Sequence, residues 1–195
     1  QQHPDWVVAA SPTQRVGSAP LTQFESIVHH YPMRSLDNAF DRDDVVKFIS
    51  KLPQESVPLV CEPKLDGLAV SLVYHHGELV EGATRGDGVQ GENILHNIKT
   101  IRQIPLRLSG QSWPEWVTVR GEVYLDHQGL EWLNEQARKH GQAPYANCRN
   151  VASGSLRQLD SAVTAKRPLK FYAYELKLTE YPVDTHSECL ALLRS

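Results

Sequence analysis

The stretch that decides the fold is Leu59-Val60-Cys61-Glu62-Pro63-Lys64-Leu65-Asp66-Gly67, followed at once by Leu68-Ala69-Val70-Ser71-Leu72-Val73-Tyr74. Leu59–Glu62 reads as a strand running into a turn at Asp66-Gly67, and residues 68–74 are apolar and rich in strand formers. His75-His76-Gly77-Glu78 closes a hairpin onto Leu79-Val80-Glu81-Gly82-Ala83-Thr84-Arg85. In an extended segment, side chains at i, i+2 and i+4 share a face, so Glu62, Lys64 and Asp66 are expected to converge. Pro63 has no amide proton to donate, which places the segment at a sheet edge or strand end. A charged triplet there suits the wall of a cleft. The plainer alternative is an exposed salt-bridge row worth less than about 1 kcal/mol.

Outward from this hairpin the periodicity alternates between strand and helix. Residues 1–40 read as irregular, with Pro4, Pro12, Pro20 and Pro32 too closely spaced for a long helix. Asp41–Leu52 has acids in its first turn, Val45, Phe48, Ile49 and Leu52 at helical spacing, and Pro53 as a stop. A short helix is expected around Glu92–Lys99 and a strand at Val117–Tyr124. Asp126 is placed to cap a helix reaching about Lys139, which Gly141 ends. A further helix over Val151–Leu159, a strand over Leu169–Leu178 and a helical final ten residues complete the pattern. Without a regular βαβ rhythm, the fold class is α+β, with antiparallel sheets and flanking helices.

At 41% apolar and 22% charged residues, the chain has the composition of a globular domain, and no apolar run reaches a membrane span. Three widely spaced cysteines, Cys61, Cys148 and Cys189, argue against a disulfide framework and against zinc, so a reducing cytoplasm is expected. The net charge of −3 is unevenly spread. Residues 138–170 hold seven Lys or Arg against one Asp, about +6, leaving about −9 elsewhere. Such a basic stretch is either a phosphate-contacting surface or an ordinary solvated face.

A nucleophilic lysine must be deprotonated, yet an unperturbed lysine titrates near about 10.4, so only roughly one in a few thousand is neutral at pH 7. Two adjacent carboxylates would favour the ammonium, so attack by Lys64 implies a divalent cation that offsets them. Thr84-Arg85-Gly86-Asp87-Gly88 puts a fork of donors before a Gly-rich turn. Arg120-Gly121-Glu122-Val123 sets a carboxylate on a strand, suited to a ribose hydroxyl or hydrated metal. Arg149 and Arg157 flank the small Ala152, Ser153 and Gly154, which allow a polyphosphate backbone to approach. Gly86-Asp87-Gly88-Val89-Gln90-Gly91 matches the dinucleotide fingerprint, but the polar run before it is not the buried parallel strand that fingerprint requires.

Taken in order, Ser11–Gly17, Met33–Phe40, Glu62–Gly67 with its Lys-x-Asp-Gly core, Thr84–Gly88, Val119–Val123, Asn147–Asp160 and Thr164–Leu169 resemble the adenylation (nucleotidyltransferase) domain of bacterial NAD-dependent DNA ligases. The resemblance spans nearly the whole chain. It implies the DNA-ligase nucleotidyltransferase fold, with Lys64 attacking the α-phosphate of NAD, releasing nicotinamide mononucleotide and carrying AMP to the 5′-phosphate of a nick. It also implies that Glu62 lies on the adenine side, Ser35 and Leu36 beside the adenosine, and Arg85 and Glu122 around the ribose and a Mg²⁺ or Mn²⁺ ion. Asp66 would support the lysine. Arg149 and Arg157, and more weakly Arg167, would contact DNA phosphate.

Nicked double-stranded DNA and NAD are the implied partners, with no membrane and no obligate protein partner. Residues 1–20 are expected to be the tail of a preceding helical subdomain that recognises nicotinamide mononucleotide, and 21–195 a partial adenylation domain whose late motifs follow Ser195. On that reading the chain adenylates weakly by itself. Cys148 stands where the family usually has Pro, and the family has small alanines near Val151 and Ser153, departures that leave both arginines intact. An ATP-dependent ligase or capping-type nucleotidyltransferase, or a module binding adenosine or DNA without turnover, are the alternatives.

Overall fold

A computed structural model describes residues 11, 15–16, 21–53, 57–110, 113–179 and 183–194. The elements in order are β1 (Ser26–Val28), α1 (Arg42–Ser50), β2 (Leu68–His75), β3 (Glu78–Thr84), β4 (Gln90–Glu92), α2 (Leu95–Ile98), β5 (Trp116–Tyr124), α3 (His127–Lys139), α4 (Cys148–Leu156), α5 (Ser161–Ala165), β6 (Lys170–Leu178) and α6 (His186–Arg194). These strands pair antiparallel throughout, and the main sheet has the order β3-β2-β5-β6, with β1 and β4 forming a separate pair. The fold is α+β, as the sequence leads one to expect.

The hairpin is set by its two-residue turn, where His76 (φ +48°) and Gly77 (φ +79°) both take the left-handed backbone that matches strand twist. Val70, Leu72 and Tyr74 of β2 and Val117, Val119 and Val123 of β5 are buried at the sheet centre with Ile94, Ile98, Ile101 and Ile104. Helix α4 packs on β2 and β5, α2 on β3, and α6 along β6, where Cys189 Sγ accepts the Leu176 amide at 3.1 Å. Asp41, Asp126 and Asn147 cap α1, α3 and α4 by accepting first-turn amides. Asn97, fully buried, donates to Leu156 O and Gln158 O at 2.7 Å each and accepts from Thr164 Oγ1. That node fixes the end of α4, and with it Arg157.

Several details depart from the pattern read along the chain. Leu59–Glu62 is not a strand: Pro58 and Pro63 bracket it and remove ladder donors. Residues 21–40 are not wholly irregular, since β1 pairs Ser26 with Glu92 and Val28 with Gln90. Strand β4 and helix α5 have no counterpart in the sequence pattern, and α4 begins at Cys148 and ends at Leu156 rather than spanning 151–159. Helix α1 forms as expected, yet none of its residues is buried. The expectation for residues 1–10, and most of that for Ser11–Gly17, lies outside the described residues. Arg15 of that motif donates to Lys99 O, Ile101 O and Ile104 O.

Candidate active site

Residues from both halves of the chain line one cleft of about 1550 Å³. Of the residues singled out from sequence, Ser35, Leu36, Glu62, Lys64, Arg85, Glu122, Arg149 and Arg157 line it, and Asp66 and Arg167 do not. The floor is a row across the sheet, because Ala69 faces Glu122 and Glu122 faces Tyr172 in register. Arg120 and Tyr174, two residues along from Glu122 and Tyr172, continue it. A register shift between Arg120 and Gly121 sits under this row, a common place for an irregularity that re-aims side chains.

Glu62 and Lys64 line the cleft and Asp66 does not, and both carboxylates have partners other than Lys64. His186 of α6 lies 2.6 Å from Glu62 Oε2, and Arg149 donates to Asp66 Oδ1 at 2.6 Å. The unpaired, non-repeating backbone of 57–66 gives no strand alternation to hold the three on one face. Lys64 is exposed and makes no hydrogen bond or ion pair among the described residues. The two carboxylates that flank it in sequence are therefore turned onto other partners. Glu62 Oε1, by contrast, is buried without a hydrogen-bond partner among the described residues. Gly67 explains the end of the Lys-x-Asp-Gly core: a Cβ there would stand 2.1 Å from Val123 O, and its amide donates to Glu122 Oε1 at 3.0 Å.

Glu122 is the electrostatic centre. Burial pushes its carboxyl above the ordinary value, against the Gly67 amide and the positive charges of Lys64, Arg149 and Arg85. A carboxylate raised in the fold destabilises the native state once ionised, so stability falls as pH rises from the ordinary value through the raised one. Glu122→Gln keeps an acceptor for Gly67 and removes that cost. The variant is expected to melt at a higher temperature than the parent at neutral pH, with the gap closing in acid, as thermal melts at several pH values would read.

The segment leading to Ser35 and Leu36 is held from two sides. Val89 O accepts the His29 amide at 2.9 Å and Gly88 O the Met33 amide at 2.7 Å. Gly88 has φ +95°, and a Cβ there would meet Met33 O at 2.7 Å. The run that mimics a dinucleotide fingerprint is thus a turn between antiparallel strands that seats another chain segment. From the other side, buried Arg120 donates to Tyr31 O, Pro32 O and Glu175 Oε2 at 2.5, 3.0 and 2.8 Å.

The basic stretch does not act as one surface. Arg149 and Arg157 line the cleft, while Lys170 is bound to Asp126 and Arg167 lies over the Tyr145 ring, 4.9 Å from its centroid. Arg157 forms a two-pronged pair with Glu92, each contact 2.7 Å. Sequence reasoning missed Arg120, Tyr172, Tyr174, Glu175, Lys177 and His186 as cleft residues. The alternation at Phe171-Tyr172-Ala173-Tyr174 is the available signal for β6; nothing local marks His186, 124 residues from its partner Glu62.

This geometry, an exposed lysine in a cleft walled by arginines and carboxylates, accompanies a match of residues 21–195 to the NAD-dependent DNA ligase adenylation domain. The chain belongs to that family.

Proposed function

We propose that Lys64 accepts AMP from NAD for transfer to the 5′-phosphate of a DNA nick. The observation that carries this reading is Lys64, unpaired among the described residues, standing in the cleft beside Glu122, Arg85 and Glu62. Its Nζ would lose a proton and form a P–N bond to the α-phosphate as the bond to nicotinamide mononucleotide breaks. A 5′-phosphate oxygen of the nick would then displace the lysine, and the 3′-hydroxyl would expel AMP. Ser35 and Leu36 are read as the adenosine wall. Glu62 Oε1, without a partner among the described residues, is read as an acceptor for a base donor, since an unmet buried oxygen costs about 1–3 kcal/mol.

Glu122 fits a magnesium-type ion, which is commonly held by one or two carboxylates together with water and substrate phosphate. Its Oε2 has no hydrogen bond among the described residues. Bound there, Mg²⁺ or Mn²⁺ would supply charge neutralisation at the phosphate. Arg85 is read as a ribose or phosphate contact. Asp66 is read as holding Arg149 at the cleft, a more specific role than general support of the lysine. Arg149 and Arg157 are paired through exposed contacts worth under about 1 kcal/mol, so a DNA phosphate would take them over at little cost.

Intact mass after incubation with NAD and Mg²⁺, against ATP and Mg²⁺, tests the donor. Addition of one AMP to Lys64 with NAD supports the reading, and addition with ATP alone would replace it by an ATP-dependent enzyme. In the full-length ligase, Arg157→Ala is expected to impair nick sealing at least about tenfold more than lysine adenylation. Equal loss in both steps would remove Arg157 from DNA contact.

A further inference from the structure

We propose that the turn joining β2 to β3 carries a transition-metal site built from His75, His76 and Glu115. In a regular strand, adjacent side chains point to opposite faces and could not share a ligand. The left-handed backbone at His76 breaks that rule and brings the two imidazole rings to 4.2 Å between centroids. The His76 amide donates to Glu115 O at 2.9 Å, and His75 pairs in register with Trp116, so Glu115 is held alongside the turn. One ligand atom from each residue lies within 4.8 Å of the others.

His75 Nε2 and Glu115 Oε1 are 3.4 Å apart. Two ligands of a tetrahedral zinc ion with bonds of about 2.0–2.1 Å stand roughly 3.3–3.4 Å from each other. His75 is stacked on Trp116, with centroids 4.1 Å apart and planes at 25°, which limits the ring's rotation before any ion arrives. His76 and Glu115 are exposed, so small side-chain movements complete the set and water fills the remaining positions. Two imidazoles and a carboxylate suit Zn²⁺, Ni²⁺ or Cu²⁺ and not Mg²⁺, which prefers an all-oxygen shell. None of the three residues lines the cleft, and β2 alone separates His75 from Ala69 at its edge by about 20 Å. The site is therefore independent of the cation assigned to Glu122, and it stands whether or not Lys64 is the nucleophile. It also revises the expectation that this chain offers nothing to zinc, which rested on its cysteines alone.

The test is calorimetric titration of the chain, without an affinity tag and stripped by chelator, with ZnCl₂. One Zn²⁺ per chain in the micromolar range is expected, undisplaced by millimolar Mg²⁺, with a rise in melting temperature on binding. His76→Asn, which tolerates the left-handed turn, and Glu115→Gln should each weaken binding at least about tenfold and lose the thermal shift. Melts of the metal-free variants report their folding. If His76→Asn melts early, Glu115→Gln decides. Unchanged affinity in a folded Glu115→Gln variant, displacement by Mg²⁺, or no saturable binding would overturn the site and leave His75 and Glu115 as an ordinary hydrogen-bonded contact.

Discussion

Lys64→Ala is expected to abolish the proposed AMP transfer, by about 10³-fold or more, and to leave the melting temperature where it was. The size follows from removing the only atom proposed to form the covalent bond, a loss that binding and charge stabilisation around it cannot restore. The unchanged stability follows from the exposed side chain, unpartnered among the described residues, since surface substitutions away from caps and cores stay within about 0.5 kcal/mol. Lys64→Arg separates chemistry from charge: it keeps a cation facing Glu122 but offers no amine that deprotonates at neutral pH. Both variants are expected to show no AMP adduct by intact mass. Adduct formation in either one would move the nucleophile elsewhere.

Arg120→Ala is the substitution expected to cost most in stability, roughly 2–4 kcal/mol. One buried guanidinium satisfies two backbone carbonyls and shares a carboxylate with Lys177, and truncation strands the two carbonyls and leaves Glu175 to Lys177 alone. The same change releases Tyr31 and Pro32, so the wall at Ser35 and Leu36 loses its support from the sheet side. Adenosine affinity should fall along with stability, which calorimetry with AMP on the folded variant would read.

Glu175 adds a pH signature to this variant. Burial pushes its carboxyl up, but hydrogen bonds and charge from Lys177 and Arg120 outweigh that and leave it below the ordinary value. Its contribution is present above the ordinary carboxylate value and is lost as pH falls through the depressed one. The stability gap between parent and Arg120→Ala should therefore narrow in acid. A gap that stays constant to low pH would mean the Glu175 contact carries none of the effect.

Local patterning makes most elements legible. The hairpin at 68–85 is readable because its turn chemistry and strand composition are both local, and the capped helix α3 because Asp126 acts within three residues. What fails has non-local causes. Residues 59–62 have strand composition but no ladder partner, and β1 is three residues long and exists only because β4, some sixty residues on, lies against it. Arg120 sits on a strand like any exposed arginine in sequence; its burial is decided by Tyr31, Pro32 and Glu175 closing over it.

For the Lys-x-Asp-Gly segment, sequence by itself determined the family, the α+β class and the identity of the residues that carry charge, because these depend on residue type and order. Which charges meet was decided only in the tertiary structure. Glu62 turns to His186 and Asp66 to Arg149, 124 and 83 residues away, while the positive charge of Lys64 bears on Glu122. Ion pairing depends on distances of a few ångströms that strand register and helix docking set together, and no reading of neighbours along the chain contains those distances.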